Sequence, residues 1–493
     1  MKLASNILKK QETTKILMRK AFSTYLTCSG CGERADGAGG LFFACPNASD
    51  DKYKDIDHVF APEDPSLSHL QTLAKLNDAT NKLASSSNNP FIRYRSLLFP
   101  YRVAMDKGMS DTEYVDLVHQ LDESIKDIGG VGFIETPLMW CKDINAFVKN
   151  ETNNVAQSHK ARHLFNLMTY LLVMAKFDTN DTIRKKRLAV ASCGNAGLAA
   201  ALVAAAAKWP IDVCIPPDAD PSVVTQLEKV GADVHICSRD DSHVDTKLGT
   251  ISTKGSADPT VAVFRNLVQD HSSIPFSVQG CDCGMAVEGS QTIAWEVIEA
   301  IHRDYSDDLN SKSKKEIEEI HIQVGGGALG SGLIQGFQRA IDGHLAVINP
   351  SFNMKSLPKL FCVQPDGNGP LNRAYTKMLS DNILLSEAVK HRSKYMYAWE
   401  NPHSIAHGIL DDETYDWVAL VNGMSTSNGG SILIDDENIC KAKEFAESTF
   451  DLNPCHTGSA GLAALINKQA NQTSDEIEHG PVNLIILSGL DRS

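Results

Sequence analysis

The chain has 493 residues, 42% of them hydrophobic and 22% charged, which is the make-up of a globular protein with apolar material for large cores, and its length suggests two to four domains. A formal net charge of −14 at pH 7 argues against a nucleic-acid partner, which would need a basic stripe. No run approaches the ~18 uncharged apolar residues of a membrane span, so no membrane partner is expected.

Lys2, Lys9, Lys10, Lys15, Arg19 and Lys20 stand against Glu12 in the first 20 residues. That stretch lacks the continuous apolar core of a secretory signal. It reads as a solvated helix, with an organellar presequence as the alternative. The 12 cysteines are dispersed, and Cys193, Cys214, Cys237 and Cys362 sit inside apolar runs. This usage points to a reducing compartment, a cytoplasmic location and mostly free thiols. Residues 1 to about 130 read as an N-terminal extension with some helix. It includes a polar loop at Ser85 to Pro90 and an amphipathic piece near Asp111 to Lys126.

Lys160 precedes an apolar helix, Leu164 to Met174. A lysine near a positive helix start, beside His159 and Arg162, is expected to lose its proton more easily than usual. From Lys186 onward strand and helix alternate. Arg187 to Ser192 is a strand that meets the loop Cys193-Gly194-Asn195-Ala196-Gly197, and a helix follows to Lys208. Ile211 to Ile215 and Asp233 to Cys237 are strands around a helix over Pro221 to Val230, which Asp220 caps and Pro221 opens. Glu288 to Ile301 is a helix. Glu319 to Val324 is a strand that runs into Gly325-Gly326-Gly327-Ala328-Leu329-Gly330-Ser331-Gly332 and a helix to Ile341. Leu360 to Gln364 and Val482 to Leu487 are further strands. This alternation predicts an α/β protein with two open, mostly parallel-sheet domains, a ligand cleft between them and an N-terminal extension.

The loop from Gly325 to Gly332 is the clearest anion signal. Its glycines let backbone N–H groups approach an anion, and the helix behind adds its positive end. Gly325, Gly327 and Gly330 also satisfy G-x-G-x-x-G, but a dinucleotide site wants an acid about 20 residues further on. Residues 343–361 contain no Asp or Glu. A single phosphate therefore fits better than a pyrophosphate, and an NAD-type oxidoreductase is disfavoured. The loop at Ser192 to Gly197 offers a hydroxyl, an amide and backbone N–H groups to a carboxylate; an ordinary helix cap reads equally well there.

Taken in order, these pieces resemble the fold-type II, tryptophan-synthase-β-like enzymes that use pyridoxal 5'-phosphate. The residues that carry the resemblance are Ser158-x-Lys160-x-Arg162, Ser192-x-Gly194-Asn195-x-Gly197, Gly231-Ala232, Glu288-Gly289-x-x-Thr292, Gly325 to Gly330, and Ser488-Gly489. It covers roughly residues 130–493 and is most similar to threonine synthase and its relatives. The resemblance implies that Lys160 holds the cofactor as an imine and then shuttles the Cα proton. It also implies that Gly325, Gly326, Gly327, Ala328, Leu329 and Gly330 cradle the phosphate, that Asn195 contacts the cofactor's phenolic oxygen, and that Ser488 faces its pyridine nitrogen. Ser158, Ser192, Gly194 and Ala196 would bind a small amino-acid substrate. A hydroxyl at Ser488 cannot hold the ring protonated as an Asp would, which favours expelling a β or γ group over transamination. His159-Lys160 is closer to the His-Lys of tryptophan synthase β than to the Phe-Lys common in threonine synthases, and Ala161 stands where the acid before Arg is usual.

Threonine-synthase relatives often begin with a small zinc ribbon. Here Cys28-x-x-Cys31 is followed by Cys45-Pro46-Asn47-Ala48, where a second pair would want Cys at 48. Three thiolates are one short of a closed site unless His58 or an acid near Asp50 completes it. The expectation is a degenerate ribbon that packs without metal.

The expected organisation is therefore residues 1–60 as an extension with the degenerate ribbon, 61–180 and 285–493 as a large cofactor-binding domain, and 181–284 as a small α/β domain. The expected reaction is a threonine-synthase-like elimination or replacement at the β or γ carbon of a phosphorylated or hydroxy amino acid. A serine/threonine dehydratase, a cysteine- or cysteate-type β-replacement and a non-catalytic amino-acid-binding homologue are the alternatives. A homodimer is the family expectation.

Overall fold

The computed structural model describes residues 24–78, 87–238, 241, 243–253, 258–269, 273–305, 316–352 and 354–492. The basic N-terminal 20 residues lie outside them, as do Ser85 and Ser86 of the predicted loop.

The strands in chain order are β1 (Tyr25–Cys28), β2 (Arg34–Asp36), β3 (Phe60–Pro62), β4 (Leu138–Cys141), β5 (Ala146–Asn150), β6 (Arg187–Ala191), β7 (Ile211–Ile215), β8 (Asp233–Ile236), β9 (His243–Thr246), β10 (Gly249–Ser252), β11 (Ser273–Pro275), β12 (Glu319–Gln323), β13 (Lys359–Pro365), β14 (Gly430–Ile434) and β15 (Asn483–Leu487). They form four sheets. The largest has the order β14-β13-β12-β15-β5-β4, parallel except for the antiparallel edge pair β4–β5. The second is parallel throughout, in the order β11-β6-β7-β8. A three-stranded antiparallel sheet β2-β1-β3 and a hairpin β9–β10 complete the set.

Central strands of a parallel sheet are covered on both faces and so lose the apolar/polar alternation of a half-exposed strand. Here β5, β7, β12 and β15 are buried at every position. Helices supply the cover. Asp220 caps the helix Pro221–Lys229 through Ser222 N–H, as predicted. Ser110 and Glu113 form a reciprocal capping box at the head of Asp111–Gly129.

One predicted helix begins later than expected. Residues Gly284–Ser290 form a 3-10 segment, and the α-helix is Gln291–Asp304. The cause is a backbone crossing, because a Cβ at Gly289 would lie 2.2 Å from the carbonyl oxygen of Arg162. Behind it, Gln291–Asp304 packs on the helix Ala328–Ile341. There a Cβ at Gly332 would fall 1.9 Å from Ser290 Oγ, and one at Gly336 would fall 2.8 Å from Ala294 Cβ. These glycines let the helix behind the glycine loop sit backbone-to-backbone on its neighbour. Among the described residues no helix is long and apolar enough to cross a membrane.

Candidate active site

The carboxyl ends of β6 and β12 face one another across a cavity of about 390 Å³. Its lining takes in Lys160, the turn Ser192 to Ala196, the turn Gly325 to Leu329, Gln323 and the segment His407 to Asp411. The structure therefore brings together ten of the predicted residues: Lys160, Ser192, Gly194, Asn195, Ala196, Gly325, Gly326, Gly327, Ala328 and Leu329.

Three predicted contact residues stand outside the lining. Gly330 is inside the helix Ala328–Ile341, where a Cβ would meet Leu420 Cδ2 at 2.9 Å. Its smallness serves packing. Ser488 lies behind Gln323, whose Nε2 donates to Ser488 Oγ at 2.6 Å. The serine hydroxyl accepts that bond and so keeps its own proton to donate. Ser158 pairs through its backbone with Gly489, and its buried Oγ has no partner among the described residues.

Lys160 opens the helix Lys160–Lys176. Burial lowers its pKa, while Asp411 and Asp416 pull the other way. The expected cause is thus corrected, because Arg162 does not supply the positive field. Its guanidinium turns into the core and bonds Glu151 at 2.9 Å, Glu296 at 2.7 Å and Thr292 Oγ1 at 2.9 Å. Lys149 joins the same cluster, 2.6 Å from Glu296 and 2.6 Å from the carbonyl of Thr136. All four charged side chains are fully buried, so two cations and two anions cancel where water cannot screen them.

His159 points the other way. Its backbone N–H and Nδ1 both lie 3.0 Å from the carbonyl of Ser488. A carbonyl only accepts, so Nδ1 carries the proton. Burial and the Lys160 charge hold the ring far below the ordinary histidine range, leaving a neutral Nε2 acceptor that is buried and unpartnered among the described residues.

The segment His407 to Asp411 was not foreseen. No strand precedes it, so nothing in its pattern marks it as cleft-facing. A Cβ at Gly325 would lie 2.5 Å from Asp411 Oδ2, and the N–H of Gly326 bonds the Asp411 carboxyl. Burial pushes this carboxyl up to about 6, against Lys160 and that N–H. Asp416 is pushed up to about 7, chiefly by burial. An acid at the anion cradle repels a phosphate only when ionised. Asp411→Asn should therefore bind pyridoxal phosphate more tightly than the native chain above pH 6, by about tenfold at pH 7. The two proteins should converge below pH 6, where Asp411 is neutral. Fluorescence titration of the cofactor into each protein across pH 5–8 reads this directly; a constant ratio would contradict it.

Arg492 was also missed. Its guanidinium bonds Asn195 Oδ1 and the carbonyl of Ala156, the latter at 2.6 Å. Arginine has donors only, so it fixes Asn195 with the carbonyl side toward Arg492 and leaves Nδ2 as the free donor, packed where Gly489 lacks a Cβ. Arg492→Ala should free the amide to flip and weaken cofactor binding by about tenfold, the value of one good hydrogen bond. The same titration tests it, with Asn195→Asp as a control that keeps the acceptor and removes the donor.

Residues 131–489 match the family model described as pyridoxal-phosphate dependent enzyme. The chain belongs to that family. Solved structures with the same fold include serine racemase from maize at 19% identity, covering 77% of this chain and 94% of that one with a TM-score of 0.50. Threonine deaminase isoform 2 from Solanum lycopersicum has 17% identity, covering 78% and 92% with a TM-score of 0.50. Diaminopropionate ammonia lyase from Escherichia coli has 16% identity, covering 77% and 88% with a TM-score of 0.52. No curated protein matches the chain significantly.

The residues present fit the family's cofactor. A buried amine of lowered pKa faces a glycine turn that opens a helix, the standard setting for a phosphate. The unpartnered Nε2 of His159, on the cavity lining, is a polar atom of the kind that a bound polar group satisfies.

Proposed function

We propose that this family member eliminates a hydroxyl group from the β carbon of a small hydroxy amino acid. The observation that carries the reading is the charge of the cavity wall. Lys160 is its sole Lys or Arg among the described lining residues, and Asp411 is its acid. In a fold-type II assignment of roles, Lys160 would be joined to the cofactor and the turn at Gly325 to Gly327 would take the cofactor's phosphate. When bound, the cofactor supplies an electron sink for the pair left at the amino acid's Cα.

The chain's own residues then divide the work. The hydroxyl of Ser192 and the N–H groups at the head of helix Asn195–Ala206 bind and orient the substrate carboxylate. The Lys160 amine, its proton affinity lowered by burial, takes the Cα proton and passes it to the departing β hydroxyl, which leaves as water. Ser488 Oγ, which accepts from Gln323, would offer a ring nitrogen a hydrogen bond and no positive charge, which favours loss of a β group. Threonine-synthase-like chemistry on a phosphorylated hydroxyamino acid is the second reading. It needs a cationic partner for a second phosphate, and the wall offers only the two histidines, His159 and His407. A homodimer is part of the proposal and is checked by light scattering.

Product analysis decides between the readings. Incubation with serine, threonine, O-phosphoserine and O-phosphohomoserine should give a keto acid and ammonia from a hydroxy amino acid. Turnover of the phosphorylated compounds alone would sink the hydroxyl reading. Binding without turnover of any of them would favour an amino-acid-binding homologue.

A further inference from the structure

The sheet β2-β1-β3 has ten residues in its strands. Three such short strands bury too little to hold their own shape without a covalent or metal staple. The cysteines of this region are free, and its loops converge on one point. Cys28 closes β1, Cys31 follows in the tight turn, Cys45 precedes the 3-10 segment Pro46–Ser49, and His58 comes just before β3. One ligand atom from each of Cys28, Cys31, Cys45 and His58 lies within 4.8 Å of all the others. Cys28 Sγ is 3.3 Å from His58 Nδ1, and Cys31 Sγ is 3.5 Å from Cys45 Sγ. A tetrahedral zinc ion, with bonds of about 2.3 Å to sulfur and 2.0 Å to nitrogen, spaces its ligand atoms roughly 3.5–3.8 Å apart.

The surroundings prepare these atoms for a cation. His58 Nε2 lies 3.1 Å from the carbonyl of Tyr53. The carbonyl can only accept, so the proton is on Nε2 and the lone pair of Nδ1 faces the thiols. A ligating histidine is commonly oriented in this way. Backbone N–H groups of Gly30 and Cys31 point at Cys28 Sγ, that of Glu33 at Cys31 Sγ, and that of Asn47 at Cys45 Sγ. Asn47 Nδ2 adds a donor 3.7 Å from Cys31 Sγ. Such donors suit thiolates better than thiols.

The loop between Cys45 and His58 also docks on the body of the protein. Asp57 N–H donates to the carbonyl of Val389 at 3.0 Å, and Arg392 N–H donates to the carbonyl of Asp55 at 2.8 Å. The Arg392 guanidinium spans from Asp57, at 3.1 Å, to Glu413, at 2.5 Å. Three residues beyond Glu413, the N–H of Asp416 bonds the carbonyl of Gly326 at 2.9 Å, which is the glycine turn of the cavity.

We propose that Cys28, Cys31, Cys45 and His58 bind a structural zinc ion that clamps the docking loop and so braces the glycine turn. Three thiols each release a proton, His58 gives a lone pair, and the four protein ligands leave no open position, which makes the ion structural.

The full-length protein, made in zinc-containing medium under reducing conditions, should carry one zinc per chain by plasma mass spectrometry. A mercurial should release it. Cobalt(II) added to the released protein should produce tetrahedral d–d and thiolate charge-transfer bands, a measurement that needs no substitution. His58→Ala and Cys45→Ser should lose the zinc, and His58→Cys should keep it. Cofactor affinity should fall in the zinc-free native protein. The proposal is overturned if the purified chain contains no zinc or holds iron instead. A Cys31–Cys45 disulfide under reducing conditions, or zinc retained when His58 and Cys45 are both replaced, would overturn it too.

Discussion

Lys160→Ala should lower turnover by about 10³-fold or more, the scale of losing both a covalent attachment point and a positioned proton carrier. Borohydride reduction of the native protein followed by peptide mapping should place the cofactor label on Lys160. The variant should carry no label and still bind pyridoxal phosphate weakly through the glycine turn. Lys149, a fully buried lysine in this part of the molecule, makes the prediction sharp. Lys149 also lies beside the large sheet's last strand, yet its amine is engaged by Glu296 and the carbonyl of Thr136. Lys160 has no ion pair within 4 Å among the described residues and faces the cavity. Label on Lys149 would refute the assignment, and retained turnover in the variant would do the same.

Arg162→Leu should destabilise the fold by about 3–5 kcal/mol, because it leaves Glu151 and Glu296 buried with one cation between them. Roughly 3–5 °C of Tm should go with it in a chain of this size. Arg162 makes bonds to both carboxylates and two threonines, and every partner is buried. Removing charge in matched pairs should cost less. The double variant Arg162→Leu, Glu151→Leu should recover part of the lost Tm, since one carboxylate then remains opposite Lys149. If the single and double variants melted together, the ion cluster would not be what the substitution disrupts. Cofactor content should drop in the single variant, because Arg162 sits one half-turn from Lys160 and holds that end of the helix.

Much of this was legible from the residues. The strands around the cleft carry apolar runs, and each of β6 and β12 is followed at once by a small-residue turn and a helix, so the alternating pattern and the two turns could be read together. The short edges were not. β11 is Ser-Ile-Pro and β14 begins with Gly-Ser, and neither has the length or patterning of a strand outside its sheet. β5 hides because it buries Lys149 and Asn150, polar residues made tolerable by Glu296 and the Thr136 carbonyl for the lysine and by Thr152 for the asparagine. Asp411 and Arg492 escaped for a similar reason. Each acts through a partner more than 80 residues away, Gly326 for one and Asn195 for the other, and no local spacing reports such a pairing. Arg162 shows the converse error. Its place beside Lys160 in the chain suggested a shared electric field, but successive helix residues point in different directions.

The two close crossings, at Gly289 and at Gly332 with Gly336, have a consequence for how the sequence can drift. At an ordinary core position a smaller residue leaves a void and a larger one forces a shift, so change carries a cost in both directions. Where glycine already fills the position there is nothing left to trim. Every substitution there is an enlargement, even the step to alanine, and it pushes on the Arg162 carbonyl, on Ser290 or on Ala294. Tolerance at these three sites is one-sided, whereas an ordinary apolar core position is open to change in either direction. Variation among descendants of this chain should therefore collect at two-sided core positions, with these three glycines held fixed.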